Sequence, residues 1–232
     1  MSEATRRRRF LSVAAVLAVG ATARNAVAAP PRSKPAEVNA TEDLMREHGI
    51  IRRTLLVYEE SARRLGMPEE KAPVEVLAQA TRLMQRFGEG YHEKTEETEV
   101  FPRLMKAGQQ KELVQVLLEQ HAAGRKLTAS ILAATSGRDA LTQPQPRAAT
   151  ARQLLLFVRM YQPHAAREDT VLFPAFRELF NEKQFDELGE RFEEQEHKLL
   201  GSDGFENALK EVDQLERALG IHDLARFTPP EK

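Results

Sequence analysis

His92 and Glu96 stand four residues apart, and His164 and Glu168 repeat that spacing in the second half of the chain. On an α-helix, residues four apart share a face, about 6 Å apart along the axis and ~40° apart around it. Each pair can therefore direct an imidazole nitrogen and a carboxylate oxygen into one small volume. The repeat extends beyond the pairs. Phe101-Pro102 follows the first and Phe173-Pro174 the second, at the same offset as the pairs themselves. Upstream of each pair stands one more histidine, His48 and His121, whose offset is longer by a single position. The chain is thus an internal duplication whose donor residues keep one register.

A single histidine on an amphipathic helix is ordinarily a hydrogen-bonded core residue, and a single glutamate in the Glu93-Glu96-Glu97-Glu99 run is ordinarily solvated. The repetition of the whole set, on the apolar face of each helix, argues for one shared site instead. Four imidazoles and two carboxylates gathered in an apolar interior need compensation, and a pair of divalent cations supplies it. Nitrogen and oxygen donors without sulfur suit iron, with manganese and zinc next in order. Glu96 and Glu168 can bridge two metals while His48, His92, His121 and His164 fill terminal positions. The first two helices then serve one metal and the second two the other.

The elements that must carry these residues are helical. Leu44, His48, Ile51, Leu55, Tyr58 and Leu65 follow a four-three rhythm, with Thr41 placed to cap and Gly66 to end the helix. A second helix runs from Pro73 to about Met105 and a third from Gln109 to about Thr135. A loop over residues 136–146 leads to a fourth, from about Arg147 to Phe180, and two shorter helices near residues 181–200 and 203–219 complete the chain. Pro102, Pro163 and Pro174 fall inside helical patterns and should kink or end them locally. No segment alternates as a strand does. The expected class is all-α: an antiparallel four-helix bundle over residues 41–180, built from a duplicated helix pair, with a C-terminal helical extension over 181–232.

Composition excludes other chemistries. The 232 residues contain no cysteine, which removes disulfides, iron–sulfur clusters and thiol nucleophiles. Ferritin-like sites use Glu-x-x-His rather than His-x-x-x-Glu. No His-Glu-x-x-His, Gly-rich phosphate loop or Gly-x-Ser-x-Gly occurs. The segment 1–29 reads as an export signal: Arg6-Arg7-Arg8-Arg9, then Phe10-Leu11, a short apolar stretch, and Ala26-Val27-Ala28 before a linker at 30–40. Two arginines followed closely by Phe-Leu resemble the twin-arginine signal, which exports proteins already folded around a cofactor. Export to the periplasm with no stable membrane association after cleavage is the expectation, an uncleaved anchor being the alternative. Residues 1–29 carry +4 of a net charge of −1, so the remainder is acidic at −5 and has no basic face for nucleic acid.

The set His48, His92-x-x-x-Glu96, His121 and His164-x-x-x-Glu168, with Phe-Pro after each pair, resembles the hemerythrin-like, or HHE cation-binding, family. The resemblance covers about Thr41 to Phe180; Phe192 to His197 and Leu224 to Phe227 extend it loosely toward the exported bacterial branch. It implies a non-haem centre of two irons, bridged by the two carboxylates and an oxo or hydroxo group, and able to bind or react with dioxygen. The chain departs from the oxygen carriers at one position. They have two histidines four apart on the third helix, whereas here His121 is followed by Arg125. One metal then lacks a ligand, which resembles the iron- and oxygen-sensing members. Glu93 and His197 are the candidates to complete it. Glu93 points ~100° away from His92 on a regular helix and needs help from the backbone; His197 needs its helix to cover the bundle. Tyr58, Tyr91 and Tyr161 are expected in the core or behind the ligands, and His222 exposed. The expected function is binding or sensing of iron and of dioxygen or another small ligand, with an unidentified electron donor. A peroxidase, oxidase or nitric-oxide-reactive enzyme at the same site is one alternative; iron storage or delivery is another.

Overall fold

The structure, a computed structural model, describes residues 38–137 and 139–229. The segment read as an export signal, 1–29, and most of the expected linker lie outside them. The fold lies in the body from Asn39 onward.

Helix α1, Ala40–Leu65, opens on Asn39, whose side chain accepts the Glu42 backbone N–H at 3.0 Å, with Glu42 and Asp43 in the positive first turn. Thr41, expected as the cap, lies inside that turn, and its hydroxyl donates to Asn39 Oδ1 at 3.0 Å. The cap lies further from the apolar stripe because Asn39 has the extended backbone that an N-cap requires. Helix α2 spans residues 74–107 without a break, but its pitch changes. It is α-helical over Val74–Leu83, π-helical over Met84–His92, and π-helical again over Glu96–Val100 before an α-helical end at Phe101–Ala107. Helix α3 is Lys111–Ala134. Helix α4 covers 144–177, α-helical over Pro144–Arg167, π-helical over Glu168–Leu172 and α-helical over Phe173–Arg177. It begins at Pro144 rather than Arg147, since a proline fits the first turn of a helix. Helices α5, Glu182–Leu200, and α6, Gly204–Leu219, follow, the first opened by a reciprocal capping box between Asn181 and Gln184. A short 3-10 turn, Leu224–Phe227, ends the described chain.

Helix α1 packs between α2 and α4, and α3 packs against the same two, giving an antiparallel four-helix bundle. Helix α6 lies on α1 and α2, and α5 on the same pair, so the extension covers one side of the bundle. Among the described residues there is no strand, and no helix is long and apolar enough to cross a membrane. Two apolar cores fill the interior. One, with Ile51, Tyr58, Leu83, Phe87, Phe157 and Tyr161, occupies one end of the bundle; the other, with Leu44, Phe101, Leu117, Phe173 and Phe176, occupies the other. Along every bundle helix the change from one core to the other falls at the same place, and a polar layer sits there.

Pro102 and Pro174 act through the π turns. Pro102 and Pro174 have no N–H to continue the i→i−4 ladder. The residue before each takes an i→i−5 bond instead: Phe101 N–H to the Glu96 carbonyl, and Phe173 N–H to the Glu168 carbonyl. The duplicated Phe-Pro thus places one π turn at each duplicated glutamate, where π turns commonly mark functional sites.

Candidate metal centre

The polar layer contains all six residues singled out from the sequence. His48 comes from α1, His92 and Glu96 from α2, His121 from α3, His164 and Glu168 from α4, and every one is at most 1% exposed. Donor atoms of Glu96, His121, His164 and Glu168 lie within 4.8 Å of one another, as do those of His48, His92 and Glu96. The two groups share Glu96, and Glu168 Oε2 is 3.3 Å from His48 Nε2, so both carboxylates face both histidine pairs.

Each imidazole is oriented by a partner on its outer nitrogen. His48 Nδ1 donates to Asp169 Oδ1 at 2.6 Å, His92 Nδ1 to Glu47 Oε2 at 2.7 Å, His121 Nδ1 to Glu97 Oε1 at 3.1 Å, and His164 Nδ1 to Gln120 Oε1 at 2.8 Å. With the Nδ1 proton committed outward, a ring in its neutral form presents the Nε2 lone pair inward. His121 Nε2 and His164 Nε2 face each other at 3.3 Å. His48 Nε2, His92 Nε2 and all four carboxylate oxygens of Glu96 and Glu168 have no hydrogen-bond partner among the described residues. Buried polar atoms are otherwise almost always paired, so this concentration of inward lone pairs fits cations and little else.

The electrostatics divide the layer: burial lowers the His48 imidazole, but Asp169 and Glu168 outweigh it and raise it. Burial, together with Glu168, pushes the Glu96 carboxyl well above the carboxylate range. Burial and the neighbouring His48 press His92 well below the usual imidazole value. Glu168 is buried too, yet His164 and His48 outweigh that and hold it low. The layer is a set of groups that oppose one another's charge and burial until positive charge is placed among them.

The flanking residues show what the spacing alone missed. Arg125, in the place of the carriers' additional histidine, turns outward and donates to Glu97 at 2.5 Å and Glu93 at 2.8 Å. Burial works against ionisation of Glu97, but the bonds from His121 and Arg125 prevail and lower it to about 2. Arg52, four residues after His48 as Arg125 is after His121, donates to Asp169. Glu93 is fully buried; the π turn over Met84–His92 brings it inward, where the Tyr161 hydroxyl donates to it. It joins Glu97 and His121 in a further cluster of donors, 4.0 Å from His121 Nδ1. Tyr91 donates to Glu47 at 2.8 Å and so stands behind His92. His197 is exposed on α5 and does not reach the layer, because α5 turns its Phe192 and Glu196 inward instead. His222 is exposed, as expected.

A signal for this outer ring was present in the sequence. Glu47 and Gln120, like Arg52 and Arg125, are separated along the chain by the same interval as His48 and His121. Glu97 and Asp169 keep the interval of Glu96 and Glu168. The partners thus obey the same duplication as the six residues of the layer.

Comparison with known proteins agrees with the geometry. Residues 39–176 match the family model described as the hemerythrin HHE cation binding domain. Uncharacterized proteins of Mycobacterium bovis and of two strains of Mycobacterium tuberculosis are each 43% identical over 192 residues, covering 83% of this chain and 74% of theirs. No solved structure matches the chain. A match over most of the bundle, a helical architecture of the right order and a buried histidine–glutamate layer lead to one conclusion: the chain is a metal-binding protein that belongs to the hemerythrin HHE cation-binding domain family.

Proposed function

We propose that the chain is a non-haem di-iron protein that binds or senses a small oxygen-type ligand. His48 and His92 would hold one iron and His121 and His164 the other, with Glu96 and Glu168 placed to serve both. The observation that carries this reading is the convergence of His121 Nε2 and His164 Nε2, 3.3 Å apart, with six further inward donor atoms that have no partners among the described residues. Iron in such a site supplies reversible ligand binding and one-electron chemistry. The protein supplies the rest: fixed tautomers, carboxylates turned inward, and two apolar cores that exclude water on either side. In place of a fifth histidine the third helix offers Arg125, which bonds to Glu93 and Glu97, so the chain would leave room at this centre for an external ligand. Export by a twin-arginine signal accords with a centre filled before translocation.

Metal analysis with optical spectroscopy tests the reading. Two irons per chain, with a charge-transfer band near the ultraviolet edge that changes between aerobic and anaerobic preparations, is the expected result. Protein purified without iron that gains no such band on reconstitution rejects it, and many irons per chain would indicate storage instead. One observation favours a reactive role at the same centre: Glu93 and Tyr161 lie beside His121 and His164, whereas Ala165 stands at the Glu93 register of the second half. Steady turnover of peroxide with an electron donor, lost in His92→Ala, would support that second role.

A further inference from the structure

The outer ring repeats with the duplication, and one position breaks it. In each half an arginine pins a carboxylate that backs a histidine: Arg52 with Asp169 behind His48, and Arg125 with Glu97 behind His121. The remaining two histidines are backed by the residues that precede the first histidine of each half. Behind His92 this is the carboxylate of Glu47, and behind His164 it is the neutral amide of Gln120. The surroundings differ in the same sense. Glu47 is 1% exposed, takes the Tyr91 hydroxyl, and lies on the side where α5 packs over α1 and α2. Gln120 is half-buried and, with Pro163 at the register of Tyr91, lines a groove of about 410 Å³ between α3 and α4 that reaches His164. The additional carboxylate on this side, Glu93, is taken by Arg125 and Tyr161 and does not back His164.

A carboxylate that accepts the Nδ1 proton makes the imidazole a stronger donor through Nε2, and losing such a partner typically changes metal affinity about 10–100-fold. We propose that Gln120 makes the position between His121 and His164 the weaker of the two. The site would then hold one tight divalent transition cation at His48 and His92 and one exchangeable cation on the groove side. This rests on the two-metal reading above and adds to it an order of loading and release.

The test is a titration of the metal-free full-length chain with cobalt(II) against a competing chelator, for the parent, Gln120→Glu and Glu47→Gln. The parent should bind two equivalents in two steps. Gln120→Glu should tighten the weaker step about 10–100-fold and leave the tighter one unchanged. Glu47→Gln should weaken the tighter step by a similar factor. A purely structural part for Gln120 would not produce a gain in affinity, and because Gln120 is half-buried at the groove, that variant decides the matter even if Glu47→Gln fails to fold. Two equivalents with a weaker step indifferent to Gln120→Glu would overturn the proposal and leave the two-metal reading intact. Uptake of fewer than two equivalents by the parent would overturn both.

Discussion

Individual residues divide into those that make the site and those that hold the frame for it, and the two should separate experimentally. Arg147 belongs to the frame. Its buried guanidinium donates to the carbonyls of Arg64, Leu65, Met67 and Glu70, at 2.6–3.1 Å, closing the C-terminal end of α1. Nothing in the sequence marks it beyond its place near a helix start, because its acceptors are carbonyls on a distant part of the chain. Arg147→Met should lower unfolding free energy by roughly 2–4 kcal/mol, as orphaned carbonyls and a lost cation at a helix C-terminus would require. Denaturant unfolding measures this, and metal stoichiometry should stay as it was. Glu60 gives a pH signature. Hydrogen bonds from Arg63, and then Arg64, outweigh its partial burial and lower its carboxyl from 4.5 to about 2. A folded value below the unfolded one means the contribution is complete above about pH 4.5 and disappears as pH falls toward 2. The stability difference between the parent and Glu60→Gln should therefore be present at pH 7 and vanish near pH 2, a modest effect for a pair so near solvent.

At the scale of elements, the Phe-Pro pairs are the device that couples helix geometry to the site. Pro102, Pro163 and Pro174 predict local kinks or helix ends; the structure shows π turns over Glu96–Val100 and Glu168–Leu172 ahead of Pro102 and Pro174, while Pro163 lies inside the α-helix Pro144–Arg167, which continues past it. The difference has a physical reason. A missing N–H can be absorbed by widening one turn when the layer on both sides is fixed by packing, and the widened turn re-aims the glutamate it contains. Pro102→Ala restores the N–H and should let residues 96–102 settle toward regular α pitch. The expected outcome is weaker metal binding, read by chelator competition, without loss of thermal stability of the metal-free protein, read by circular dichroism. Equal losses in both would mean that the π turn serves folding alone.

For the whole molecule, the polar layer divides the interior into two apolar cores, so the bundle is weakest where the metals are expected. Cations that bind the folded chain and not the unfolded one add about 2.7 kcal/mol for each site at a free concentration of 100 times its Kd. Metal-free protein should therefore melt well below the loaded form by calorimetry, with the gap growing as free metal rises. A melting temperature indifferent to metal would contradict the ligand assignment. The C-terminal helices contribute an asymmetry that no local pattern announces: they seal the α1–α2 side, where Glu47 lies, and leave the α3–α4 side with a groove at Gln120.

Pattern along the chain was enough for the helices, their order and the six residues of the polar layer, because helical periodicity is a local rule and the duplication states it twice. It even contained the outer ring of Glu47, Gln120, Glu97, Asp169, Arg52 and Arg125, though as a pattern without partners. Which acidic residue orients which histidine was settled only by tertiary packing, since Asp169 of α4 serves His48 of α1 and Glu47 of α1 serves His92 of α2. The inward turn of Glu93, the exposure of His197 and the uneven covering of the two halves were settled there as well. These follow from how whole helices pack and where their pitch widens, and packing joins residues that no spacing along the chain connects.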